Sequence, residues 1–248
     1  MAKLIVANWK MNGSFTKIEE DLRTYLQNTT TNANNVVFAL PNVYLGLVKC
    51  LEIDAGFKLC SQDISKFDNV GAYTGEVSGA MLKDLGIDYA IVGHSERRIY
   101  FNEDEDILIK KVNNAINNKI TPIYCIGESI SVRKSKNYKD FLLNQLELLT
   151  KTNVIAKEEI KLVIAYEPIW AIGSGVVPST EEIVEVINFI NAFVQKYLPH
   201  AKITALYGGS VSKINAKEIL NLPQVDGVLV GGASLLIPDF TSICSYKI

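Results

Sequence analysis

Leu162-Val163-Ile164-Ala165-Tyr166-Glu167-Pro168-Ile169-Trp170-Ala171-Ile172-Gly173-Ser174-Gly175 is the stretch on which the reading of this chain turns. Its first five residues are apolar without alternation, the pattern of a strand buried on both faces. Glu167 stands where the strand runs out, and Pro168 ends it. The next segment is almost wholly apolar and closes on two glycines. Surface loops are normally polar, because their backbone groups meet water. An apolar loop ending in Gly-x-Gly, Pro168 to Val176, fits a lid that closes over something and buries itself there. A carboxylate at the root of such a lid faces a poorly hydrated space, where it becomes a stronger proton-abstracting base.

Outward from this stretch, seven further apolar runs read as strands: Leu4-Ala7, Val36-Leu40, Lys58-Ser61, Tyr89-Gly93, Pro122-Ile126, Ile203-Tyr207 and Val228-Gly231. Every gap is long enough for a crossover, and several hold clear helices. Ser179-Thr180-Glu181-Glu182 is a capping box, followed by Ile183, Val186, Ile187, Ile190, Phe193, Val194 and Tyr197 on one face. Asn102-Glu103-Asp104-Glu105 opens a second helix, with acidic residues in its first turn as the helix dipole prefers. A third follows Tyr138, with Phe141, Leu142, Gln145, Leu146 and Leu149. The polar tract Thr29-Asn35 reads as a loop feeding the second strand. Eight β-then-α units predict an α/β chain folded as one (β/α)8 barrel, a single domain over residues 1–248. A doubly wound open sheet is the alternative, but no Gly-x-Gly-x-x-Gly follows the first strand.

The totals narrow the function. The 248 residues are 48% hydrophobic and 21% charged, with a net charge of -2. That balance gives no bulk attraction to nucleic acid or an anionic membrane, so any bound anion is held locally. The run Leu4-Ile5-Val6-Ala7 is too short for a signal peptide, and no run reaches transmembrane length, so a cytoplasmic location is expected. Cys50, Cys60, Cys125 and Cys244 lack metal or CxxC spacing and read as reduced thiols. His94 and His200 are the only histidines, which excludes a multi-histidine metal site.

A barrel places reactive groups at the C-terminal ends of its strands. Asn8 and Lys10 follow strand one. His94, Ser95 and Glu96 follow strand four, Glu128 strand five and Glu167 strand six. Gly208-Gly209-Ser210 follows strand seven, and Gly231-Gly232 closes strand eight. Each has a bland reading: Lys10 as a loop lysine, His94 as a core histidine, Glu167 as a cap. Glu96-Arg97-Arg98 is either a solvated charge run or a network under the site. Glu128 is equally a supporting or a structural group, and Cys125, inside its strand, is a packing residue by default. Two glycine turns on strands seven and eight are where many barrels bind phosphate through bare backbone N–H groups. Gly173 in the lid adds one more.

Taken together, Asn8-Trp9-Lys10-Met11-Asn12-Gly13, Gly93-His94-Ser95-Glu96-Arg97-Arg98, the stretch from Ala165 to Gly173, Tyr207-Gly208-Gly209-Ser210-Val211 and Leu229-Val230-Gly231-Gly232-Ala233-Ser234-Leu235 resemble the triosephosphate isomerase family over essentially the whole chain. The pairing of a carboxylate base with a neutral histidine is a standard worked case of that family. The resemblance implies a TIM barrel that interconverts dihydroxyacetone phosphate and glyceraldehyde 3-phosphate without metal or organic cofactor. It implies Glu167 as base, neutral His94 as electrophile, and Lys10 as positive charge for the enediolate and phosphate. Asn8, Gly173, Ser210, Gly231 and Gly232 bind substrate; Ser95, Glu96 and Cys125 support the site. The segment 62–78 resembles the family's long third loop, which reaches into a partner subunit; Thr74 then lies near the partner's active site in a homodimer. The competing readings are a different sugar-phosphate enzyme on the same barrel, or an inactive barrel that binds a phosphate ligand or a protein partner.

Three positions depart from the family pattern. Val176 stands where lysine mostly follows the lid's second glycine. Asn191 replaces an arginine whose partner corresponds to Asp226, so Asp226 is expected to be solvated or otherwise hydrogen-bonded. Leu235-Leu236-Ile237-Pro238 replaces a lysine-bearing tail and is one residue longer.

Overall fold

The computed structural model describes residues 2–29, 34–53, 56–68, 70–135, 137–152 and 160–246. Eight strands form a closed barrel: β1 Leu4–Asn8, β2 Asn35–Leu40, β3 Lys58–Ser61, β4 Tyr89–Val92, β5 Thr121–Ile126, β6 Ile160–Tyr166, β7 Ala201–Tyr207 and β8 Gly227–Val230. Every pairing is parallel, and β1 closes on β8 with Leu4 opposite Gly227. The connecting helices are α1 Phe15–Asn28, α2 Asn42–Cys50, α3 Gly79–Asp84, α4 Ser95–Tyr100, α5 Glu105–Asn117, α6 Ile130–Lys134, α7 Tyr138–Thr150, α8 Thr180–Tyr197, α9 Ala216–Leu220 and α10 Ile237–Cys244.

The strands are continuously apolar because each feeds two cores. Val6, Val37, Cys60, Ile91, Ile123, Cys125, Val163, Ala165, Leu206 and Leu229 fill the barrel interior. Their neighbours Ile5, Phe38, Tyr124, Ile164 and Tyr207 point outward into the layer under the helices. Successive side chains on a strand face opposite ways, so one apolar run supplies both layers. Each large side chain so buried contributes roughly 1.5–3 kcal/mol.

The capping box at Ser179 is complete: its hydroxyl accepts from Glu182 N, and the Glu182 carboxylate accepts from Ser179 N. The second helix begins later than the sequence suggests. Asn102 adopts φ 52°, which holds off the helix until Asp104 caps it, so Glu105 and Asp106 are its first-turn acids. Glu103 is buried instead and pairs with Arg97 and Lys111. Phe141 and Tyr197, placed on apolar helix faces, are 38% and 50% exposed. Both belong to helix faces that reach the barrel surface. Of the Thr29-Asn35 tract, residues 30–33 lie outside the described residues. Asn34 is buried, accepting from Lys3 N and donating to Cys244 O and Tyr246 O, so it ties the two ends of the chain together. Asp226 accepts a hydrogen bond from Ala205 N at 2.8 Å, so it is held by backbone. No helix among the described residues is long and apolar enough to cross a membrane.

Candidate active site

The C-terminal strand ends enclose a cavity of about 380 Å³. Asn8, Lys10, His94, Glu167, Gly173, Ser210, Gly231 and Gly232 all line it, so eight residues from five separate segments of sequence meet at one mouth. Ser95, Glu96 and Cys125 sit directly behind these lining groups. Thr74 is exposed at the tip of the 62–78 loop, away from the cavity; residue 69 of that loop lies outside the described residues.

Glu167 is placed by a close approach of two strands. Its N–H donates to Ile126 O at 2.7 Å, and Ile169 N donates to Glu128 O at 3.0 Å. A Cβ on Gly127 would stand 1.7 Å from Glu167 O, so only glycine permits this approach. The carboxylate is buried, 2% exposed, and accepts from Ser95 N at 3.3 Å and lies 3.2 Å from His94 Nε2. The cap reading is thus partly right, since Ser95 N is the first orphan donor of α4. Behind it, burial and then the Glu167 charge push the Cys125 thiol well above its ordinary pKa, so it remains a protonated packing group against the base.

The protonation of His94 follows from its neighbours. Glu96 N donates to Nδ1 at 3.2 Å, and a backbone N–H can only meet a lone pair there. Neutral imidazole then carries its proton on Nε2, the nitrogen facing Glu167 and the cavity. Glu96 Oε2 is 3.5 Å from Nδ1, but the Glu96 carboxylate is committed to Lys10 Nζ at 2.6 Å. Lys10 has φ 52°, a left-handed conformation that costs a non-glycine residue about 1 kcal/mol. Asn8 Oδ1 accepts from Lys10 N, and Gln62 Nε2 donates to Lys10 O, and these bonds hold the strained turn. With its oxygen so engaged, Asn8 keeps its amide N–H groups for the cavity.

The charge run beside the site is a network. Arg98 donates to Gly93 O and Cys125 O, joining β4 to β5. Arg97 pairs with Asp63 and Glu103, and buried Lys111 pairs with the same two carboxylates. Glu128, fully buried, accepts from Tyr166 Oη at 3.0 Å and Trp170 Nε1 at 3.2 Å. Burial raises its carboxyl above the usual range, against the lowering effect of those two donors.

The lid is anchored at its root and free at its tip. Pro168 and Ala171 are buried, Ile169–Ala171 forms a 3-10 turn, and Ser210 Oγ donates to Ala171 O at 2.6 Å. Gly173, Ser174, Gly175 and Val176 are exposed, and Gly173 and Gly175 have φ 65° and 74°. Two further residues hold the seventh loop. Asn215 Oδ1 accepts from Ser212 N, and its Nδ2 donates to Ser210 O. The Ser212-x-x-Asn215 spacing after a glycine turn is the signal that points to them. Gln62 carries no such local signal.

The triosephosphate isomerase family model matches residues 3–247. The chain belongs to the triosephosphate isomerase family. It is 42% identical to the triosephosphate isomerase of Orientia tsutsugamushi (strain Ikeda), over 98% of this chain and 97% of that protein. It is 44% identical to that of Francisella tularensis subsp. holarctica (strain LVS), over 98% and 96%. Triosephosphate isomerases are aldose–ketose isomerases, and the cavity described above brings a buried carboxylate, an imidazole, a lysine and glycine turns together in one place.

Proposed function

We propose that this chain interconverts dihydroxyacetone phosphate and D-glyceraldehyde 3-phosphate, serving glycolysis and gluconeogenesis in the cytoplasm, with the whole chain acting as one catalytic barrel. The observation that carries the reading is the shared 380 Å³ cavity of Glu167, His94 and Lys10, floored by Gly231 and Gly232. Substrate enters against the turns of strands seven and eight. There Gly173, Ser210, Gly231 and Gly232 offer backbone N–H groups to the phosphate. Glu167 takes a proton from the carbon beside the carbonyl, and the electron pair moves onto the carbonyl oxygen. Nε2–H of His94 meets that oxygen, and a neutral imidazole matches a weakly acidic enediol better than imidazolium. Lys10 and Asn8 stabilise the charge that develops. Glu167 then returns its proton to the neighbouring carbon, so no atom is gained or lost. Lid closure excludes water and limits loss of phosphate from the intermediate.

We further propose a homodimer through the 62–78 loop, with Thr74 near the partner's site. The test of the function is an isomerase assay on purified protein, coupled to oxidation or reduction of the triose product. Glu167→Asp pulls the carboxylate back by one methylene. The expected loss is about 10²-fold or more in kcat, with phosphate-analogue binding retained. Full activity in that variant would remove Glu167 as the base.

A further inference from the structure

At the N-terminal end of the strands, opposite the candidate active site, the barrel opens into a larger cavity of about 1080 Å³. Its polar lining includes Lys3, Lys58, Tyr89, Lys202, Thr204 and Asp226. Strand parity explains the charge. Lys58 lies two residues before Cys60, Lys161 two before Val163, and Lys202 four before Leu206; Cys60, Val163 and Leu206 all fill the barrel interior. Three of the eight strands thus carry, at their first or second residue, a lysine on the side that faces the barrel axis. In a chain of net charge -2, this is a local concentration of positive charge.

Not every cation here is available. Lys3 Nζ is committed to Val225 O and Leu222 O, and Asp226 accepts from Ala205 N and lies in the field of Lys3. Among the described residues Lys58 has one ion-pair partner, Asp88 at 4.0 Å, and its Nζ lies 5.8 Å from the centre of the Tyr89 ring. Lys161 and Lys202 stand directly opposite each other in the β6–β7 register, and among the described residues neither has an ion pair. Like charges facing each other across neighbouring strands destabilise a sheet. Helix C-termini also ring this end of the barrel, and lysines that answer helix dipoles belong on those helices. These three belong to strands and face the axis.

We propose that the N-terminal mouth of the barrel is a second anion site, one that takes a small organic polyanion with two or more carboxylates bridging Lys58 and Lys202, with Lys161, opposite Lys202 in the β6–β7 register, adding positive charge beside it. The Tyr89 and Thr204 hydroxyls supply neutral donors beside the three cations. The apolar floor of Leu4 and Val37 strengthens the field on a bound anion. The cations of this mouth are lysines, which hold carboxylates as point charges.

The site is tested with citrate, titrated calorimetrically at low ionic strength into protein whose catalytic cavity is saturated with glycerol 3-phosphate. The expected result is one citrate per chain, weakened by added salt. Lys161→Ala/Lys202→Ala should bind at least about tenfold more weakly, while isomerase kcat and KM stay unchanged. In anion-free buffer the same double variant should melt no lower than the parent, because a repulsion has been removed, and citrate should no longer raise its midpoint. Lys202→Gln, which keeps the side-chain length, should show a loss in the same direction. The proposal fails if no saturable heat appears, if the double variant binds citrate as the parent does, or if glycerol 3-phosphate competes with citrate.

Discussion

The position of one carbonyl governs the proposed base, Glu167. Gly127 exists as glycine because Glu167 O occupies the place of its Cβ, at 1.7 Å. The clash is with backbone, so no side-chain rotation relieves it. Gly127→Ala must push the end of β6 away from β5 and move Glu167 with it. The expected cost is about 10²-fold in kcat, since misplacing a reacting group by roughly 1 Å has that effect. Unchanged turnover would show that the strand end tolerates the shift. His94→Gln tests the facing group. Glutamine keeps an acceptor and an N–H, but it cannot shuttle a proton between oxygens. Turnover should fall about 10²–10⁴-fold with the circular dichroism spectrum unchanged. These residues were legible in the sequence because strand ends are punctuated: Glu167 precedes Pro168, and His94 follows Gly93. Gln62 is not legible there, because it works through side chain-to-backbone bonds made only once the loops are folded.

At the scale of elements, the strand limits read from sequence lie within two residues of those observed, since a doubly buried strand is apolar from end to end. The start of α5 falls later than the acidic run suggests, because local composition does not reveal that Asn102 turns left-handed and sends Glu103 inward. The lid root is where elements and chemistry meet. Glu128 receives Tyr166 of β6 and Trp170 of the lid, and burial raises its folded pKa. In acid it is protonated in both folded and unfolded chains. As pH rises, the unfolded chain ionises first, so the stability this group contributes is lost as pH climbs through the raised folded value. Glu128→Gln keeps an acceptor for both donors and cannot ionise. The stability of the parent relative to Glu128→Gln should therefore decline as pH rises above the ordinary carboxylate pKa of about 4, in paired urea unfolding curves. A difference independent of pH would mean that Glu128 is not held in a medium that disfavours its charge.

For the whole molecule, the decisive question is what covers one face. Met11 is 96% exposed, Val43 78%, Tyr73 41% and Met81 51%. They belong to neighbouring segments: Tyr44 Oη donates to Gly13 O, Gln62 donates to Lys10 O, and α3 directly follows the 62–78 loop. Large exposed apolar patches on a folded chain mark contact surfaces. The loop is built to present one. Phe67 and Tyr73 stack at 3.7 Å, Asn114 donates to Ser65 O and Phe67 O, and Asp63 at its root is tied to Lys111 and Arg97. A preformed loop loses little conformational entropy on docking. The proposed homodimer should sediment as two chains of 27.4 kDa. Thr74→Arg places a long charged side chain at the exposed loop tip, where the partner would have to desolvate it. Its expected product is a folded single chain, read by sedimentation and circular dichroism. That chain should also lose kcat, because Lys10 is held at φ 52° partly by Gln62 of the same loop segment. A strained turn that loses its cover relaxes toward ordinary backbone, moving the Lys10 ammonium out of the cavity. Parent protein that sediments as one chain, or a Thr74→Arg protein that still sediments as two, would separate the exposed apolar face from any self-association.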